Sequence, residues 1–407
     1  MNLLIGKARR RIAREVVSLR RFARQKAART IYSFPSFAEL DPRHRITTFK
    51  RYCRLVGALP NGTESALQAW YLPLRADETV YRTAPVSVNE AAVASFNTSI
   101  IRYQYGKSFE MPEVFLGCMN DAKIYSKDFL VLSPDNQIFM ESALSKDEVL
   151  EENGVLDTML WPRWRSISGS FVLLATPWSD RYYFHWVLDA LPRLAIIEQF
   201  AQLNSLPLIV PGKLTSFHHE SLDLAGVSAD RLFSFDGSAW QVDTLYFPQL
   251  LGPTGNPSPH AVAWLRSRFL SREPGKPAVA KRRIYLTRRD TSQRRVLNEE
   301  EIIDYLAGIG FEIVCPSQMS FSEQIRLFRN VEIVIAPHGG GSTNMVFAPK
   351  GATLIEFFGD NYINGCYWAL TSICGQSYAS LIGPSQWLDY SISLQGLKIL
   401  LAKVCGT

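Results

Sequence analysis

Apolar and polar positions follow two regimes along this chain, and the change between them predicts its organisation. Residues 36–165 carry short apolar runs broken by turn residues. Asp128-Phe-Leu-Val-Leu-Ser133, then Pro134-Asp135-Asn136, then Gln137-Ile-Phe-Met140 predict a β-hairpin in a β-rich region. From Phe171 the pattern becomes layered. It predicts a strand over Phe171–Thr176, a helix over about Phe184–Phe200, a strand over Pro207–Val210, a helix over Leu214–Ala225 and short strands near Leu232 and Leu245. Proline-containing clusters at Pro253–Pro259 and Glu273–Pro277 flank a helix that contains Trp264, and the second cluster reads as an interdomain linker.

A new unit follows the linker. Strand Arg283–Thr287, a helix Asn298–Gly308 opened by Asn-Glu-Glu-Glu, strand Phe311–Cys315, and a helix Ser320–Asn330 with Ser320 and Glu323 as a capping box lead to strand Val331–Ala336. A last apolar strand, Ala352–Phe358, follows Pro349-Lys350-Gly351. Four strands joined by short helices predict a parallel, Rossmann-like sheet. Right-handed crossovers put the loops that follow its strands on one edge.

The chemistry is concentrated in those loops. Between the last two strands runs His338-Gly339-Gly340-Gly341-Ser342-Thr343-Asn344. Glycines let a backbone approach a phosphate closely, and the N–H groups of a helix start, with Ser342 or Thr343 as N-cap, point at its oxygens. The same glycines would also serve a tight turn after a buried strand. The loop after Arg283–Thr287 brings Arg288 and Arg289 to the same edge, and a guanidinium fork beside backbone donors suits a diphosphate. Taken alone, that run of arginines and polar residues equally describes a solvated basic loop. Glu356, near the end of its strand, is expected to accept hydrogen bonds from ribose hydroxyls.

A second stretch, Asp180-Arg-Tyr-Tyr-Phe-His-Trp-Val-Leu-Asp-Ala-Leu-Pro-Arg193, places His185 and Asp189 four apart on one helix face. An imidazole with a carboxylate one turn away forms a general-base pair, with either group taking the proton. Tyr182, Tyr183 and Trp186 suit a sugar ring. A buried, hydrogen-bonded helix histidine accounts for the same spacing.

Composition sets the bounds. The chain has 407 residues, 47% of them hydrophobic and 12% aromatic, enough for a globular enzyme of two domains with an enclosed cleft. Cys53, Cys118, Cys315, Cys366, Cys374 and Cys405 form no CxxC pair and have no histidine at metal spacing, which indicates neither a zinc site nor a disulfide framework. A reducing cytoplasm is the expected compartment. The net charge of +6 arises in one place: residues 1–30 hold ten Lys and Arg against Glu15, a balance of +9, leaving −3 for the rest. Apolar residues in this arm recur at roughly helical spacing, so a basic amphipathic helix on an anionic membrane surface is expected. A transit peptide and a helix packed on its own protein remain alternatives. No apolar run reaches the roughly 18 residues that would span a membrane, and no second basic patch supports nucleic-acid binding.

Three stretches, YYFHWVLDALPRL, IYLTRRDTSQRRVLNEEEI and FEIVCPSQMSFSEQIRLFRNVEIVIAPHGGGSTNMVFAPKGATLIEFF, resemble in order and spacing the family 61 glycosyltransferases. That family includes bacterial capsular-polysaccharide enzymes and eukaryotic xylosyl- and N-acetylglucosaminyltransferases. The resemblance runs from about Phe171 to Tyr378. It implies an α/β, GT-B-like fold of two Rossmann-like domains facing a cleft, an inverting mechanism, a nucleotide-sugar donor that is often UDP-linked, and no obligatory metal or other cofactor. On the same resemblance Arg288, Arg294, Asn298, His338, Gly339, Asn344 and Glu356 fall on donor-side positions, and His185 and Asp189 on the acceptor-side motif. Gly340-Gly341-Ser342 departs from the more frequent Ala-Gly-Leu, which leaves sugar specificity open.

The domain boundaries expected on these grounds are 1–30 for the basic helical arm and 31–275 for an acceptor-side domain whose α/β part starts at about 166. A nucleotide-sugar-binding domain is expected over 276–385 and a terminal helix over 386–407. Donor contacts are expected from Arg288, Arg289, Arg294, Asn298, the 338–344 loop and Glu356, and acceptor contacts from Tyr182, Tyr183, Trp186 and Arg193. The expected partners are a nucleotide-sugar, a glycan or lipid-linked glycan acceptor, and an anionic membrane under the arm. Two other classes remain: a polysaccharide pyruvyltransferase that uses phosphoenolpyruvate, and a non-catalytic carbohydrate-binding protein.

Overall fold

The computed structural model describes residues 46–57, 68–87, 107–143, 162–271 and 281–406. The basic arm and the Glu273–Pro277 linker lie outside the described residues. The chain forms two compact units, one drawn from residues 1–72, 117–171 and 235–247, the other from 73–116, 172–234 and 248–407.

The first unit is a mixed β-structure. Lys123, Ile124 and Tyr125 pair antiparallel with Leu132, Val131 and Leu130, and Leu132 pairs antiparallel with Ile138, which is the expected hairpin. Phe49 is fully buried between Phe139 and Phe247, with ring centroids at 4.9 and 5.5 Å.

The second unit holds a five-stranded, wholly parallel sheet: β1 Arg282–Leu286, β2 Glu312–Val314, β3 Val331–Pro337, β4 Thr353–Gly359 and β5 Ser377–Gly383, in the order β2-β1-β3-β4-β5. Four of these strands are legible as apolar runs. The fifth, SYASLIG, is not, because its serines and glycine interrupt the apolar pattern. The order has one reversal, between β1 and β3, and in open α/β sheets ligands bind outside the carboxyl ends of the strands at such a point.

Alternation along the strands gives the sheet two buried faces. Ile333, Ile335, Ile355, Phe357 and Ala379 pack with Ile302 and Leu306 of helix α1 (Glu299–Gly308). The opposite parity includes Leu286, Val334, Ala336, Leu354, Glu356 and Tyr378. Helix α2 (Phe321–Phe328) begins with the expected capping box, since Ser320 accepts from Glu323 N–H and Glu323 accepts from Ser320 N–H. Helices α3 (Cys366–Ile373) and α4 (Leu394–Cys405) complete the unit.

A smaller parallel element lies in the same unit. Val172 and Leu173 pair in parallel with Leu208 and Ile209. The connection between them differs from the single helix expected over 184–200. It is a π-helical segment His185–Ala190, a 3-10 turn Leu191–Arg193 and an α-helical turn Leu194–Ile197. Pro192 is the physical reason: it donates no N–H, and its ring would collide with the Leu188 carbonyl in a regular α-helix. Widening the preceding turn relieves that collision, and Leu191 N–H bonds to the Trp186 carbonyl five residues back.

Candidate functional site

The carboxyl ends of β1 and β3 bring Arg288 and Gly339 into close contact. A Cβ built on Gly339 would collide with Arg288 Nη1 and lie 2.8 Å from its Cζ, so any side chain here would have to displace the end of Arg288. Gly339 is extended, at φ 174°, so close approach rather than backbone conformation demands glycine here. Gly341 is also crowded, because its Cβ would lie 3.1 Å from Pro316 and 3.3 Å from Leu286. Gly340 has ordinary space.

The loop continues into a 3-10 helix, Gly340–Phe347, capped by Gly339. The N-cap expected at Ser342 or Thr343 therefore lies three to four residues too late, since the glycines themselves form the entry to the helix. Ser342 and Thr343 are buried inside it. Thr343 Oγ1 meets Tyr367 Oη at 3.2 Å, while the Ser342 hydroxyl is buried with no hydrogen-bond partner among the described residues.

Arg288 is half-buried, and its Nε is buried with no hydrogen-bond partner among the described residues. Burial lowers its pKa, and the like charge of Arg294 lowers it further. Arg294 stacks over the Tyr362 ring at 5.1 Å and has φ 57°, a left-handed backbone rare for a long side chain. Two cations crowd together here, and a bound anion would relieve their repulsion. A charge-assisted hydrogen bond to such an anion would contribute about 1.5–3 kcal/mol.

Glu299, which the sequence suggests only as part of a helix start, holds the β1 end in place. It is buried and accepts hydrogen bonds from Tyr285 Oη and Thr287 Oγ1, both at 2.9 Å, and from Arg288 N–H at 3.3 Å.

Several expected donor-side residues are engaged elsewhere. Arg289 pairs with Glu300 at 2.6 Å in the first turn of α1. The Asn298 side chain donates to the Ile392 carbonyl at 2.8 Å and accepts from Ile392 N–H at 3.0 Å, tying α1 to the segment before α4. Asn344 is fully buried, accepts from Tyr183 Oη at 2.8 Å and donates to Gln324 at 2.6 Å. Glu356 requires a correction, because it is fully buried and both its oxygens are used. Oε1 lies 2.5 Å from His338 Nδ1, and Oε2 accepts from Tyr378 Oη at 2.7 Å. A carboxylate so enclosed does not reach a ribose. It fixes the His338 ring, which packs against Phe358, Tyr362 and Tyr367 with centroids at 5.2, 5.5 and 5.4 Å.

The His185–Asp189 pair forms as the spacing suggests, with Nδ1 to Oδ2 at 2.7 Å. Thr254, from a proline cluster that reads only as a chain break, completes it. Its hydroxyl donates to Asp189 Oδ2 at 2.8 Å and lies 3.1 Å from His185 Nδ1. The Asp189 side chain is 4% exposed and that of His185 17%, so the imidazole is the more accessible partner. Trp178, Tyr182 and Phe184 surround the ring at 5.0, 6.0 and 5.3 Å.

Of the residues expected to meet an acceptor, Tyr182 alone is exposed, at 52%. Tyr183 bonds Asn344, and Trp186 is fully buried with its indole N–H on Ser221 at 2.8 Å. Arg193 is 2% exposed, and burial lowers its pKa to about 9 while it donates to the carbonyls of Leu173 and Ala175 at 3.2 and 2.7 Å. Arg193 therefore ties down the end of the strand that carries Leu173, and Trp186 packs inward on Ser221 and His218; helical spacing groups them with His185 because it does not distinguish an inward face from an outward one.

The two halves of the site are linked by ring contacts. Phe184, next to His185, packs on Tyr367 at 5.8 Å, and Tyr367 packs on His338. Among the described residues, no group of three or more His, Cys, Asp or Glu is placed to hold a metal ion.

Residues 183–355 match the family described as Glycosyltransferase 61. The match contains His185, Asp189, Arg288 and the glycine loop and ends one residue before Glu356. The EGF domain-specific O-linked N-acetylglucosamine transferase of Drosophila melanogaster is 37% identical over 109 residues, 26% of this chain and 21% of its own length. The Mus musculus protein of the same name is 29% identical over 115 residues, 27% of this chain and 22% of its own length. The alpha-1,3-arabinosyltransferase XAT3 of Oryza sativa subsp. japonica is 36% identical over 83 residues, 20% of this chain and 14% of its own length. This chain thus spans about a fifth of the length of the first two relatives.

The Arg288–Gly339 contact generates a prediction. Gly339→Ala needs no unusual backbone and displaces only the end of a flexible side chain, so folding stability should change by less than about 1 kcal/mol. Affinity for inorganic pyrophosphate should fall about tenfold or more as Arg288 is pushed aside, corresponding to one lost charge-assisted bond. Denaturant unfolding and calorimetry check the two halves. Wild-type affinity in the variant would show that the guanidinium does not bind the anion.

Proposed function

Residues 183–355 are a glycosyltransferase family 61 domain, and from that premise we propose that the protein transfers a sugar from a nucleotide-sugar to a glycan acceptor with inversion and without a metal ion. The observation that carries this reading is the half-buried Arg288 guanidinium, pressed against Gly339 at the switch point with a buried Nε that has no partner among the described residues. A leaving nucleoside diphosphate gains charge as the glycosidic bond breaks. Arg288, Arg294 and the N–H groups of the glycine loop are preorganised donors for that charge.

His185 is the general base in this reading. Its Nδ1 is committed to Asp189, which leaves Nε2 to take the proton of an acceptor hydroxyl. Asp189 and Thr254 hold the ring in that orientation. The hydroxyl oxygen attacks the anomeric carbon from the face opposite the diphosphate, the bond to the diphosphate breaks, and one displacement inverts the centre. Tyr182 offers an exposed ring beside His185 for an acceptor sugar.

UDP is the proposed nucleotide and a cell-surface or capsular polysaccharide, glycan or lipid-linked, the proposed acceptor. The named activities of the relatives, transfer of N-acetylglucosamine and of arabinose, support sugar transfer as the reaction class. A cytoplasmic protein held at the inner face of a membrane by residues 1–30 fits the +9 balance of that arm.

A thermal-shift titration with UDP, GDP, CDP, CMP and phosphoenolpyruvate tests the donor. At a hundredfold excess over Kd, UDP should add about 2.7 kcal/mol of stability to the wild type, and Arg288→Ala should lose most of it. Stabilisation by phosphoenolpyruvate alone would indicate pyruvyl transfer instead. Asp189→Asn should lower the transfer rate by roughly 10²- to 10⁴-fold while UDP still stabilises the variant. Transfer at the wild-type rate in that variant would remove the His185–Asp189 pair from the mechanism.

A further inference from the structure

The buried Glu356 carboxylate has a place in the donor site that its inaccessibility to a ribose does not explain. It sits on a central strand, fully enclosed, with His338 on one oxygen and Tyr378 on the other. Burying a carboxylate costs several kcal/mol unless it is paired or neutralised. His338 lies in direct contact with it, and with Nδ1 taken by Glu356 its remaining polar ring atom is Nε2.

We propose that binding of a nucleoside diphosphate is coupled to uptake of a proton by His338, with Glu356 and Tyr378 as the positioning residues that make the coupling possible. The inference rests on the donor-site reading above. In the free protein Nδ1–H of a neutral imidazole donates to the Glu356 carboxylate, and Nε2 carries no proton. When the diphosphate arrives, a proton from solvent adds to Nε2, and the imidazolium lies between two anions, Glu356 and the phosphate. No covalent bond changes apart from the new N–H.

The charges around His338 support this sequence of events. Burial opposes a positive ring most strongly in the free protein, and Arg288 and Arg294, from the loop after β1, add to that opposition; the His338 pKa is lowered despite Glu356. Tyr362 beyond β4, Cys366 and Tyr367 of α3, and Tyr390 ahead of α4 complete the surroundings of the pair. Burial raises the pKa of each of them, so they remain neutral. A diphosphate offsets both arginines and places a second anion beside the ring, so that burial alone is left to oppose its charge. Because the free-state pKa is depressed and the bound-state pKa raised, uptake is confined to the pH interval between them. Affinity falls as pH rises through the bound-state value.

Calorimetric titration with UDP at about pH 7.5, in Tris and in HEPES, measures the protons taken up from the difference in heat between the buffers. At that pH the terminal phosphate, with a pKa of about 6, is already ionised, and contact with arginines would make it release protons rather than bind them. The expected result is uptake of about half a proton or more per UDP, with none in His338→Gln. Glu356→Gln should reduce uptake while UDP still binds. Tyr378→Phe, a milder change that leaves the carboxylate one hydrogen bond poorer and the imidazolium more favoured, should extend uptake to higher pH. Purely structural roles would alter melting temperature and leave the proton count unchanged, and that pattern would overturn the inference. UDP binding in the wild type with identical heats in both buffers would overturn it while leaving the donor site intact. No binding of UDP would overturn both.

Discussion

Everything at this site depends on how closely a guanidinium can approach a backbone. Arg288 leaves β1 and Gly339 leaves β3, the two strands between which the sheet reverses its winding order. Any side chain at 339 would push Arg288 outward, and without Arg288 the loop would present backbone donors to water alone. Glu299 fixes the other end of the arrangement by accepting from Tyr285, Thr287 and the Arg288 N–H. The result is a cation preorganised by neutral and anionic groups behind it, with a buried nitrogen left unpartnered among the described residues. The proposed anion would supply the acceptor that the buried nitrogen lacks.

The His185–Asp189 half follows from a different constraint. Pro192 disfavours a regular helix and the chain responds with a π-helical segment, an irregularity common at functional sites. His185 and Asp189 occupy that segment, and Thr254 reaches across from a separate loop to bridge them. Ring contacts from Phe184 through Tyr367 to His338 connect this pair with the glycine loop. These ring contacts hold the His185–Asp189 pair and the glycine loop at a set separation, as the proposed in-line displacement requires.

Much of this was legible in the sequence, and the parts that were not have physical reasons. Apolar runs bounded by caps and turns point to four of the five parallel strands and the capping box at Ser320, because there local pattern and tertiary packing agree. The fifth strand is hidden by its serines and glycine, which break the apolar run that marks the other strands. Spacing finds the His185–Asp189 pair but not Thr254, since a contact over 65 residues leaves no periodic trace. Residue type suggests a ribose partner in Glu356 and sugar contacts in Trp186 and Arg193. Burial reassigns all three, because sequence alone does not tell a polar group that faces a ligand from one that satisfies its neighbours.

A crystal structure with UDP bound would show whether Arg288 and the glycine loop hold the diphosphate. The diphosphate should lie at the carboxyl ends of β1 and β3, with Arg288 Nε or Nη atoms and the backbone N–H groups of residues 339–341 within hydrogen-bonding distance of its oxygens. Electron density for the diphosphate elsewhere in the protein, with the Arg288–Gly339 contact unchanged and unoccupied, would contradict it.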